Sequence, residues 1–172
     1  MAAPWHNLHS KTDRALVAYL VSVNAGGTDN TYPAKSSAEK NIDCIVCWSH
    51  DAVEAAPYSG TYVLQTSVQV KTLAINSDTQ ENDEARIASE LRVARVFDAF
   101  QTDIDSAGDK LGTDITNAAH AFAVNNPLHA DLADLTILNV AVKGTECGIE
   151  EGTNAWVDTM NLEIVAMPRA ES

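Results

Sequence analysis

Six groups of side chains have the types and spacing from which chemistry is built. His6 and His9 lie three residues apart, close to Asp13. Cys44 and Cys47 form a CxxC pair. His50-Asp51, His120 and His129-Ala-Asp131 each offer half of a general-base pair. Glu146, Glu150 and Glu151 crowd a late polar stretch where a divalent cation would find oxygen ligands. None of these groups comes with the rest of its machinery. The chain contains no GxSxG, P-loop, GxGxxG or HExxH motif to supply a nucleophile, a phosphate cradle or a zinc site. The glutamates lack the regular alternation of a calcium loop, which favours an acidic, solvated loop. Cys44 and Cys47 fall in an apolar run, residues 42–48, that reads as a strand. Positions three apart on a strand face opposite sides, so the pair reads as buried small hydrophobes and not as a metal or redox site. No metal, cofactor or catalytic residue is therefore expected.

The elements that would position these groups follow from hydrophobic period. Leu16, Tyr19, Leu20 and Val23 share a helical stripe over residues 12–24, with Ser10 or Thr12 as cap; Val17 and Val21 lie off the stripe and imply a second contact. Residues 25–40 have no apolar period and read as a long polar loop, a candidate for partner contact through Tyr32. Residues 42–48 and 61–74 read as two strands, the second alternating apolar and polar. A helix over residues 83–100 carries two apolar stripes, Ile87/Leu91/Ala94 and Val93/Val96/Phe97/Phe100, and so is expected to be sandwiched. A shorter helix covers residues 113–124. Strands over 135–143 and 155–167 close the chain, joined by an acidic loop at 144–154. The order α-β-β-α-α-β-β describes one α+β domain over residues 1–172, a mostly antiparallel sheet of about four main strands with helices on one face.

Composition narrows the functional classes. The chain has 172 residues and a mass of 18.4 kDa, enough for one domain. Its 24 acidic against 11 basic side chains give a net charge of −13. Residues 1–75 hold 5 basic and 6 acidic groups, whereas residues 76–172 hold 6 and 18. Gripping a phosphate backbone requires clustered Lys and Arg, so nucleic-acid binding is disfavoured. The start, Met1-Ala-Ala-Pro-Trp5, has neither a basic region nor an apolar core of the signal-peptide kind, and no apolar run is long enough to span a bilayer; a protein made and kept in a cytoplasm is expected. Three cysteines agree with a reducing compartment.

Taken together, the run Ile42-Asp-Cys-Ile-Val46, then Ser59-Gly-Thr-Tyr-Val63 leading into Ser67-Val-Gln-Val-Lys-Thr72, the segment Arg92-Val-Ala-Arg-Val-Phe-Asp-Ala-Phe100 and the final Trp156-Val-Asp-Thr-Met-Asn-Leu162 resemble the element order of tail terminator, or tail completion, proteins of long-tailed bacteriophages. The likeness spans most of residues 10–167 and lies in element order and hydrophobic rhythm. It implies a structural virion protein, assembled in the host cytoplasm, that forms a homo-oligomeric ring, expected to be a hexamer. The ring would cap the head-proximal end of the tail tube, stop its polymerisation and join it to a head-completion or connector protein, with DNA passing through unbound and no cofactor. On that reading Val17, Val21, Tyr32, Arg92 and Arg95 are candidate contacts with a subunit or partner, and Glu146, Glu150, Glu151 and the acids at 78–84 are candidate channel-lining groups. Other phage neck or tail-tube components share this pattern. The competing class is a small-ligand-binding domain or minor enzyme with His50, Asp51 and His120 near a cleft.

Overall fold

The computed structural model describes residues 7–23, 25, 30–33, 44–57, 59–73, 79–101, 108–150 and 155–168. Three helices, α1 (Leu8–Ser22), α2 (Thr79–Asp98) and α3 (Gly108–Asn125), pack with five strands, β1 (Asn30–Pro33), β2 (Cys44–Glu54), β3 (Tyr62–Leu73), β4 (Thr136–Glu150) and β5 (Ala155–Met167). A 3₁₀ segment, Pro127–Asp134, links α3 to β4 and is kinked at His129. The sheet order is β1-β2-β3-β5-β4. Every pairing is antiparallel except β1 with β2. The fold is α+β with the expected order of main elements and with helices packed on the sheet.

Alternation along β3 decides which face the helices cover. Leu64, Thr66, Val68, Val70 and Thr72 are buried, and their cross-strand partners Ile45, Cys47, Met160, Leu162 and Ile164 complete an apolar floor. Leu16, Leu20, Val96, Phe100, Ile115 and Ala119 descend on it from the three helices. Each of these side chains except that of Ala119 contributes about 1.5–3 kcal/mol on burial. Tyr19 pins α1 to the end of α2: its ring meets Phe100 edge-on at 5.8 Å and its hydroxyl donates to the Ala99 carbonyl at 2.5 Å.

Three local readings of the sequence need correction. The stretch 25–40 is not all loop, because residues 30–33 pair in parallel with β2 from Cys44 to Cys47; so short and polar a strand leaves no alternation to read. The acidic loop is largely strand, because β4 continues to Glu150 and pairs with β5 as far as Glu150↔Ala155. There the backbone ladder with β5 carries the strand through Gly144 and Gly148, where side chains give no apolar signal. Third, α1 starts earlier, at Leu8. Asn7 takes the left-handed conformation (φ 59°) and its carbonyl accepts from the Lys11 N–H, which puts Ser10 and Thr12 inside the helix and not at its cap.

Candidate functional site

The first part of α1 is bound to the 3₁₀ segment by an ion pair that absorbs one of the candidate catalytic groups. Arg14 donates to both Asp131 oxygens, at 2.8 and 2.7 Å, and its Nη1 lies 3.2 Å from His129 Nδ1. Those hydrogen bonds from Arg14 are the main reason the Asp131 carboxyl is held below its ordinary pKa. His129-Ala-Asp131 is thus a bidentate staple between elements 117 residues apart, with His129 also stacked near Phe122 at 5.1 Å.

His120 has a comparable structural task. Its Nε2 lies 2.8 Å from the Leu135 carbonyl, at the entry to β4. It continues an i, i+4 series, Gly108, Gly112, Thr116 and His120, along which α3 meets the edge of β4. Thr116 Oγ1 accepts the Ile137 N–H at 2.8 Å and donates to the Gly112 carbonyl at 2.8 Å.

His50 stands elsewhere, at a bulge in β2 between Ser49 and Asp51. Its Nε2 is 3.4 Å from Ser67 Oγ, its Nδ1 is 3.7 Å from Asp51 Oδ2, and Trp48 lies against its ring at 5.2 Å. Serine, histidine and aspartate in this order are the parts of an acyl-transfer site, and sequence reading did not associate Ser67 with them. The signal was the alternation of β3, which sets Ser67 opposite Trp48. Three features separate the arrangement from a working triad. The Ser67 hydroxyl donates to Asn161 Oδ1 at 3.2 Å, so its proton is directed away from the imidazole. Asp51 is largely exposed, and its carboxylate does not fix the ring. Ser67 also lies in the middle of a central strand, where ladder pairing holds the neighbouring backbone and presents no paired N–H groups to an oxyanion.

The cleft that the competing class would place at His50, Asp51 and His120 does not form. His50 and Asp51 belong to β2, whereas His120 is bound at the start of β4, across β3 and β5 in the sheet order. A cavity of 610 Å³ between the ends of α2 and α3 and strands β4 and β5 is lined by Phe97, Phe100, Val140, Val142 and Met160 with Asn139, and none of the described histidines reaches it.

Cys44 and Cys47 are both fully buried, in a strand where alternation sends them to opposite faces. Burial, with the Asp13 carboxylate adding to it, pushes the Cys47 thiol far above its ordinary pKa. Replacing both by Ala is expected to cost about 1–3 kcal/mol through lost packing, read as a lower urea midpoint at unchanged m-value. Stoichiometric zinc in protein purified without chelators would contradict this account.

The candidate contact residues divide. Val17 is half-buried and packs on the core, so it is consumed at least in part within the chain, whereas Val21 is 64% exposed. Arg92 is a correction: it is buried, and its Nη1 donates to the Lys71 carbonyl at 3.0 Å and to Thr72 Oγ1, which makes it a strut between α2 and β3 and not a surface for a neighbour. Arg95 is exposed. The expected sandwiching of α2 is not found among the described residues: Val96 and Phe100 are buried, but Ile87 and Leu91 are 59% and 66% exposed. Arg86, on the same helix, lies over the Trp156 ring at 4.8 Å and donates to Asp158 at 3.3 Å. Of the candidate channel acids, Glu146 is exposed on β4; the side chains of Glu150 and Tyr32, residue Glu151, the side chains at 78–84 and His6 lie outside what is described.

Of the described histidines, His120 and His129 serve internal joints, His50 stands on a polar sheet face and His9 is exposed on α1. No family model matches this chain, and no curated protein matches it. Among the described residues no three His, Cys, Asp or Glu side chains gather as a metal site. No described helix is long and apolar enough to cross a membrane.

Proposed function

We propose that this chain is a ring-forming tail terminator of a long-tailed bacteriophage, a structural protein that caps the head-proximal end of the tail tube and joins it to the head connector. The observation that carries the reading is the element order: an opening helix, a hairpin of long strands, two consecutive helices and a closing hairpin, all on one sheet. The arrangement of the histidines supports assembly over catalysis, since His120 and His129 tie elements together. Exposed apolar side chains at Val21, Ile87, Leu91 and Leu128 offer surface for a tube or connector subunit. The net charge of −13 suits a channel through which DNA slides, because an acidic wall releases no counterions from the polymer.

Light-scattering mass, negative-stain images and addition to polymerising tube protein of the same phage test the proposal together. A closed ring that halts tube growth is the expected result. A chain that neither forms rings nor binds tube ends at any concentration is not a terminator.

A further inference from the structure

The 610 Å³ cavity lies where the end of α2 and the start of α3 meet β4 and β5. Its size falls within the range of small-molecule sites, about 300–1,000 Å³. Phe100 and Met160 are buried at its floor, Phe97 is half-buried on its wall, and Gln101, Val142 and Thr145 are exposed at its mouth. Strand β4 is shaped around it. The pairing of β4 with β5 slips between Ile137 and Asn139 and again between Val142 and Gly144. Residues 139–142, which lie between the two irregularities, all line the cavity, and bulges bend a strand and re-aim its side chains. Gly108, the first residue of α3, closes the opposite side. A Cβ there would strike the Val140 carbonyl oxygen and Asn139 Oδ1, so the start of the helix lies directly on the Asn139 carboxamide.

We propose that this cavity binds a small neutral molecule carrying an apolar ring and an amide-type edge, the ring against Phe97 and Met160 and the edge on Asn139. The inference goes beyond the ring reading and does not rest on it, since the described lining belongs to one chain. Two features of that lining set the ligand's chemistry. None of the described residues that form it is charged, in a chain where 20% of residues are. An ion entering it would give up hydration with no counter-charge in return, and the net charge of −13 repels anions further. The polar side chains of Asn139, Gln101 and Thr145 face the cavity and make no hydrogen bond among the described residues. A carboxamide presents donors and an acceptor side by side, the complement of an amide edge. A purely apolar ligand would cover the Asn139 carboxamide and leave it unpaired, which favours the ligand that bonds it. The ring gains from Phe97 by edge or offset stacking and from the Met160 thioether, which adapts to the shape it meets.

Benzamide is the probe, with benzoate as its charged counterpart of the same shape and ethylbenzene as the ring without the amide. Each is titrated into the full chain at pH 7 and followed by backbone and methyl NMR shifts. Saturable shifts at Phe97, Val140, Val142 and Met160 are expected with benzamide, and binding weaker by about tenfold or more with benzoate. Asn139→Leu should weaken benzamide about fivefold, the worth of one neutral hydrogen bond, and leave ethylbenzene unchanged. Because Asn139 also supports the start of α3, Val142→Trp at the exposed mouth is the second variant, and it should abolish binding of both neutral probes by filling the entrance. Absence of saturable shifts, shifts that map elsewhere, equal binding of benzamide and benzoate, or binding that survives Val142→Trp overturns the assignment. Equal loss of benzamide and ethylbenzene in a folded Asn139→Leu variant overturns the role of the amide edge. Hydrogen-exchange protection of the lining on self-association, without any probe, would give the cavity to a neighbouring chain and overturn the small-molecule site.

Discussion

Asp13→Asn is expected to make the protein more stable at pH 8 and to leave it nearly unchanged at pH 4. Asp13 lies in α1 beneath the β2 bulge, 6% exposed, and one of its oxygens accepts the Ser49 N–H at 2.7 Å. That N–H falls two residues beyond the point where β1 stops pairing with β2, so the carboxyl takes an acceptor position that no described strand fills. Burial raises the Asp13 pKa from 3.8 to about 7, against the smaller lowering effects of the Ser49 hydrogen bonds and of Arg14. Arg14 offsets little because Asp131 already holds it in a bidentate pair. Below pH 4 the group is protonated in folded and unfolded chains alike. Between pH 4 and 7 the unfolded chain gives up this proton while the folded one keeps it, so stability is lost as pH rises, by about 1.4 kcal/mol per pH unit in the limit. Above pH 7 the loss is complete and constant.

Asparagine keeps an acceptor for Ser49 and never becomes charged. The difference between variant and parent should therefore grow from near zero at pH 4 to about 2–4 kcal/mol at pH 8. Asp131 has the opposite sign, its lowered pKa contributing stability at neutral pH that disappears in acid, but it is common to both proteins and cancels in the difference. Urea titrations of the pair at five pH values decide the matter. A difference that stays flat from pH 4 to 8 would show that Asp13 titrates as it does in the unfolded chain.

The contrast between Asp13 and the core shows what a single sequence discloses. The floor of the fold was legible because Val68 and Val70, or Leu162 and Ile164, announce themselves by a period of two, and α3 by Ile115, Ala119 and Phe122 at helical spacing. Asp13 and Arg92 were not, because a charged residue on a helix reads as solvated until its partners are known. Those partners, Ser49, Lys71 and Thr72, are 36, 21 and 20 residues away. The same limit hid β1, whose four residues are held by backbone pairing with β2, and the far half of β4, where Gly144 and Gly148 give no pattern. The histidines were visible as reactive types, but their use was not. His120 reaches a carbonyl 15 residues on and His129 an arginine 115 residues back, and neither distance leaves a trace in local spacing.

Gly112→Ala is expected to destabilise the protein although it removes a glycine from the interior of a helix. Helix propensity alone favours alanine there by about 1 kcal/mol. The site opposes it, because α3 lies so close to the edge of β4 that a Cβ on Gly112 would stand 2.7 Å from the Ile137 carbonyl oxygen and 3.0 Å from the Leu138 carbonyl carbon. Both obstacles are backbone, and neither can swing aside like a side-chain tip. The clash is relieved only by moving α3 outward, which stretches the Thr116 bond to the Ile137 N–H and lifts Ile115 and Ala119 from the core. Overpacking of this kind costs about 1–3 kcal/mol, more where hydrogen bonds are lost with it, so the net effect is a loss of about 1–2 kcal/mol. Gly112→Val, larger and β-branched, should cost more than Gly112→Ala. Gly148→Ala is the control, since its Cβ would meet open space; a change within about 0.5 kcal/mol is expected there. Chemical denaturation of the three variants at one pH ranks them. If Gly112→Ala proves as stable as Gly148→Ala, then α3 does not press on the edge of β4.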